Sequence, residues 1–108
     1  MNWIDLTDYS QIQKARENSE PFFVFKHSIR CSISSMAKSR FERTYDLLGV
    51  QAFYLDLITF RSISNQLALD FQVAHQSPQL LFIQQGVCTY NASHNSINID
   101  EIKSCFKD

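Results

Sequence analysis

Hydrophobic positions along this chain fall into short unbroken runs separated by stretches with wider spacing. Phe22–Lys26 is a continuous apolar run holding three aromatics and one β-branched residue before Lys26, the pattern of a strand covered on both faces. Gln51–Asp56 and Gln79–Gln84, the latter with LLFI at its heart, carry the same signature. Val87–Asn91 returns as a further strand across Gln85-Gly86, which has the composition of a hairpin turn. Asn2–Leu6 is short enough to be an edge strand or a lead-in. Between these runs the apolar spacing widens to three and four. Tyr9, Ile12 and Ala15 predict a helix reaching about Asn18, capped by Thr7 or Asp8, before the turn Asn18-Ser19-Glu20-Pro21.

After Cys31, the residues Ile33, Met36, Ala37, Phe41, Thr44, Tyr45 and Leu48 recur near helical spacing, and Gly49 supplies a stop. Ile63, Leu67 and Phe71 mark one face of a helix over Arg61–Phe71. Asn98 followed by Glu101 forms a capping box for a last helix, striped by Ile99, Ile102, Cys105 and Phe106. The order is therefore α-β-α-β-α-β-β-α. Strands separated by helices need parallel crossovers, whereas a two-residue link needs an antiparallel pair. The expected architecture is α/β, a mixed central sheet of about four strands with helices on both faces.

Composition narrows the function more than the fold. A chain of 108 residues fits one domain, so 1–108 is read as a single unit, and 44% hydrophobic content with nine Phe is enough to fill one core. Trp3 and the set Phe22, Phe23, Phe25, Phe53, Phe60, Phe71 and Phe82 are read as that core. The net charge of -1 gives no global attraction to nucleic acid or anionic lipid. No apolar stretch approaches the roughly 18 residues of a membrane helix. MNWIDLTDYS carries neither a basic region nor an apolar signal core, so a cytoplasmic location is expected. Lys26, Arg30, Lys38, Arg40 and Arg43 cluster around Cys31 and read as a solvated helix face.

The three cysteines, Cys31, Cys88 and Cys105, are an odd count with no CxxC spacing, which argues for reduced thiols over a disulfide framework. The scattered histidines give no zinc spacing, and no metal is expected. Cys31 differs from the other two cysteines in its surroundings. It falls where an apolar strand ends and a helix begins, a place where unpaired backbone N–H groups and the helix dipole favour a thiolate. Lys26, His27 and Arg30 could add positive potential, and Ser34 could donate to the sulfur. The alternative is a small buried residue that ends a strand. The polar neighbours HSIR and SISS favour the reactive thiol. Cys88, alternating inside a strand, and Cys105, on a helical stripe, read as packing residues. Ser77-Pro78 stands directly before the LLFI strand, and a cis bond there would present the Ser77 backbone to an extended ligand, although a trans turn is the commoner form.

The joint occurrence of FKHSIRCSIS, HQSPQLLFI and ASH, in that order, resembles the YtxJ-type monothiol bacilliredoxins, whose patterns run approximately KHS-x-x-CPIS, H-x-SPQ and A-S-H. The resemblance spans most of the chain and implies a thioredoxin-like fold. It also implies a monothiol thiol-disulfide oxidoreductase that removes bacillithiol from mixed disulfides on client proteins. Bacillithiol would then be a co-substrate, with no tightly bound cofactor. Carried over by residue, Cys31 would be the attacking thiol, and Ser77 would offer its backbone beside Pro78. His27, Ser28, His75, Ser93 and His94 would line the surroundings, with Lys26, Arg30, Ser32, Ile33 and Ser34 also assigned to binding the thiol. Ser32 departs from the family's proline after the cysteine, and Asn95 stands where a tryptophan is usual. Those departures leave two other readings open: a non-catalytic adaptor or redox sensor on the same fold, and an arsenate-reductase-like or glutathione-using enzyme.

Overall fold

The computed structural model describes residues 3–28, 32–44 and 50–93, without the side chains of residues 32–34 and 44. The expected last helix, the Gly49 stop and Cys105 lie outside these residues. Within them the chain runs β1 (Trp3–Asp5), α1 (Ser10–Glu17), β2 (Phe22–His27), α2 (Ser32–Thr44), β3 (Gln51–Asp56), α3 (Arg61–Asp70), β4 (Gln79–Gln84) and β5 (Val87–Ser93). The strands form one five-stranded sheet in the order β1-β3-β2-β4-β5. Asn2–Leu6 thus resolves into a true edge strand, one more than the four the apolar runs indicate.

The first three strands in spatial order are parallel, as helix crossovers require: Trp3 pairs with Ala52 and Phe22 with Gln51. β4 turns back antiparallel on β2, with Val24 opposite Leu81 and Lys26 opposite Gln79. β5 then folds onto β4 across Gln85 and Gly86, whose φ values of 51° and 78° are both positive, the conformation that continues the twist of a two-residue hairpin. A register shift between Phe82 and Ile83 leaves Thr89 without a direct partner on β4.

β2 is the central strand, and all six of its residues are buried. Alternation sends Phe22 and Val24 to one face, where they meet Ile12, Ala15, Ile63, Leu67, Leu81 and Ile83 under α1 and α3. Phe23 and Phe25 go to the other face, against Ala37 and Phe41 of α2 and Leu80 and Phe82 of β4. Phe23 stacks on Phe82 with ring centroids 4.6 Å apart. Trp3 and Phe60 are half-buried and pack at the margins of these clusters, so the core is smaller than the aromatic count suggests.

Two local expectations are corrected. Neither Thr7 nor Asp8 is the N-cap of α1; Tyr9 is, and the Asp8 carboxylate instead accepts the Ser10 N–H at 2.8 Å. Met36, assigned above to the apolar face of α2, is 68% exposed, because its neighbour Ala37 takes the inward position together with Phe41.

Candidate functional site

β1, β2 and β3 end, and β4 begins, at the same edge of the sheet. The register places His27 beside Asp56, and Lys26 opposite Gln79. Pro78, the residue before Gln79, is buried, Ser77 is half-buried, and the Ser77–Pro78 peptide bond is cis. α2 opens at Ser32, so its N-terminal backbone N–H groups belong to the segment that follows Cys31 in the sequence. Arg30, Cys31 and His94 lie outside the described residues, as do the side chains of Ser32, Ile33 and Ser34. The two described stretches that bracket Cys31, ending at Ser28 and starting at Ser32, thus belong to the sheet edge where the proline loop enters.

The placement of Lys26 removes it from the expected solvated basic face, on which Arg43 is exposed and Lys38 and Arg40 are half-buried, and from the surroundings expected for the bound thiol. Lys26 is fully buried on β2, on the α3 side of the sheet, and presents no surface to solvent or ligand. Its Nζ donates to the Ser64 carbonyl at 3.4 Å and lies 3.4 Å from His75 Nδ1. Burial lowers its pKa to about 8, partly opposed by the negative charge that Cys88 carries when ionised. His75 is exposed as a whole residue, yet its Nδ1 turns inward and also lies 3.1 Å from Ser64 Oγ. An ammonium has donors only, so Nδ1 is the acceptor and the ring proton sits on Nε2. Partial burial, with Lys26 and Arg61 adding like charge, lowers the pKa of His75 and favours that neutral ring.

Gln79 completes the cluster. Its Oε1 accepts the Gln76 N–H at 3.3 Å and its Nε2 donates to the Ala74 carbonyl at 3.1 Å. Both Gln79 and Ser64 are buried, and sequence reading passed over both. The signal was present: Gln79 is a polar residue opening an apolar strand, and Ser64 sits between Ile63 and Leu67 on the buried side of α3.

On the opposite face of the sheet His27 is buried, its ring 5.4 Å from that of Tyr54. The Asp56 carboxyl beside it feels burial, which would raise its pKa. Hydrogen bonds from Thr59 and Ile58, aided by the His27 charge, outweigh this and hold the carboxyl below the usual range. A cleft of about 360 Å³ opens here between α2 and the strand ends, with His27, Asp5, Ser35, Lys38 and Tyr54 among its walls. Trp3 closes one side by donating its Nε1–H to Glu42 at 2.6 Å, while Lys38 bridges to Glu42 at 3.1 Å. Ser93 is half-buried on β5, opposite Gln79. Cys88 is a half-buried thiol whose Sγ donates to the Tyr90 carbonyl at 3.3 Å. Among the described residues no His, Cys, Asp or Glu cluster could hold a metal ion, and no helix is long and apolar enough to cross a membrane.

The family model described as "Monothiol bacilliredoxin BrxC" matches residues 4–102. The chain belongs to that family. Monothiol bacilliredoxins are thiol oxidoreductases of the thioredoxin-like superfamily, which agrees with the mixed five-stranded sheet described above. A solved structure classed as an oxidoreductase with a thioredoxin fold is 28% identical, with a TM-score of 0.83, covering 94% of this chain and 91% of that one. Thioredoxin from Trypanosoma brucei brucei superposes with a TM-score of 0.77 at 12% identity, over 99% of this chain and 93% of its own. A thioredoxin variant from Halobacterium salinarum NRC-1 gives 0.69 at 11% identity, over 98% and 88%. These last two share the fold alone.

Proposed function

We propose that this monothiol bacilliredoxin reduces mixed disulfides between bacillithiol and client proteins in the cytoplasm, with Cys31 as the attacking thiol. The supporting observation is the convergence at one sheet edge of the α2 start, which follows Cys31, and the Ser77–Pro78 loop. A thiolate there would lie near helix N-terminal N–H groups, which lower a thiol pKa. Ser77 would offer its backbone to the bound thiol, with His27, His75, Ser93 and His94 around it.

The Cys31 thiolate attacks the bacillithiol sulfur of the mixed disulfide. A Cys31–bacillithiol bond forms, the client–bacillithiol bond breaks, and the client sulfur leaves as a thiolate that takes a proton from water. A second bacillithiol thiolate then attacks the bacillithiol sulfur of the adduct; a bacillithiol disulfide bond forms, the Cys31–bacillithiol bond breaks, and Cys31 leaves as the thiolate. Ser34 stands three residues on from Cys31, so no cysteine is available at that spacing to resolve the adduct.

The test incubates the protein with a bacillithiolated client and follows intact masses. Adduct moves to wild-type protein and not to Cys31→Ala. Transfer that survives Cys31→Ala removes that residue from the chemistry, and faster exchange with glutathione or coenzyme A reassigns the small thiol.

A further inference from the structure

Lys26, Gln79, Ser64 and His75 make an unusual use of a buried strand position. The residues flanking them on the same face, Val24 and Leu81, are apolar and fully buried. An apolar side chain at position 26 would continue that packing without the cost of taking an ammonium out of water. Among the described residues no carboxylate bonds to the Lys26 ammonium; its partners are the Ser64 carbonyl and His75 Nδ1. Gln79, its cross-strand neighbour, spends both ends of its amide on the backbone of Gln76 and Ala74. Both Gln79 bonds and one of the two Lys26 contacts, that to His75, thus reach one short loop, the one that ends in Ser77–Pro78, while the other Lys26 contact ties it to α3. Gating and positioning loops are held in this way when their geometry matters more than the stability of the strand beneath.

We propose that Lys26 and Gln79 are positioning residues that set the Ala74–Pro78 loop for thiol exchange, Lys26 acting through His75 and Gln79 through the loop backbone. This rests on the reading that the loop receives the small thiol opposite Cys31. Lys26 therefore acts from beneath the site without touching substrate, and His75 carries its influence to the surface.

Three variants test it: Lys26→Met, Gln79→Leu and His75→Ala, the last altering an exposed residue that the sheet does not need. Amide hydrogen exchange across residues 74–78 is expected to quicken by about tenfold in each. With a bacillithiolated client, KM is expected to rise by about tenfold. Alkylation of Cys31 by iodoacetamide should stay within about twofold of wild type, because a small reagent does not need the loop. Unchanged loop exchange in all three variants overturns the assignment. So does alkylation that falls in step with transfer, which would mean that the whole site has lost its structure. A wild-type protein that transfers no bacillithiol, while its loop exchange still responds to the variants, sinks the functional reading and not the loop assignment.

Discussion

A lysine in the most buried strand of a sheet brings an electrostatic cost that can be measured. Lys26 titrates at about 8, against 10.5 for the ordinary side chain, because burial penalises its charged form. Between those values the unfolded chain binds more protons than the folded one, so stability rises with pH through that window and is reduced below it. The gap corresponds to at most about 3 kcal/mol. Lys26→Met is accordingly expected to be more stable than wild type at pH 7, by about 1–3 kcal/mol after the lost hydrogen bonds are allowed for. Its stability should also lose the rise between pH 8 and 10.5. Urea unfolding at several pH values checks both, and a less stable Lys26→Met at pH 7 would show that the ammonium is not being penalised. Only part of this was legible in the residues. Lys26 has the same parity as Phe22 and Val24 along β2, which marks the face it takes. The buried partner groups that keep it there come from α3 and from the loop before β4, many positions away.

At the scale of elements, local chemistry explains most boundaries. β3 and β4 begin and end where their apolar runs do, and β5 extends past its expected end at Asn91 to Ser93. The β4–β5 hairpin depends on backbone conformation at its turn. Gly86 has φ +78°, and a Cβ built there would meet Arg16 Nε at 3.8 Å, an ordinary contact. Gly86→Ala therefore pays only for the left-handed backbone, about 1 kcal/mol, which thermal unfolding would show as a loss of roughly 5 °C. A much larger loss would mean that the Arg16 side chain, which donates to the Gly86 carbonyl at 3.3 Å, is displaced as well. The outward turn of Met36 has a geometric cause. Helical spacing defines a stripe about a third of the circumference wide, and which edge of that stripe faces inward depends on the sheet it packs against.

Across the whole molecule, charge is nearly balanced at -1, so no long-range field steers a client toward the site. The rate of adduct transfer is expected to change by less than about threefold between 50 and 500 mM salt. A steep fall with salt, measured with a client of small net charge, would point to a local basic patch as the docking surface.

What the residues determined alone was the alternation of strands and helices, the thiol at a strand-to-helix junction and the proline before an apolar strand. These are local properties, written in side-chain periodicity and backbone preference over a few neighbouring positions. Tertiary structure decided that Trp3 begins a fifth strand tied to Glu42, that Lys26 is sealed inside, and that Ser64, His75 and Gln79 gather around it. Burial depends on what distant segments cover a residue, and the crossovers that bring α3 and β4 onto β2 join groups 38 and 49 positions apart. Periodicity over short windows carries no record of such meetings.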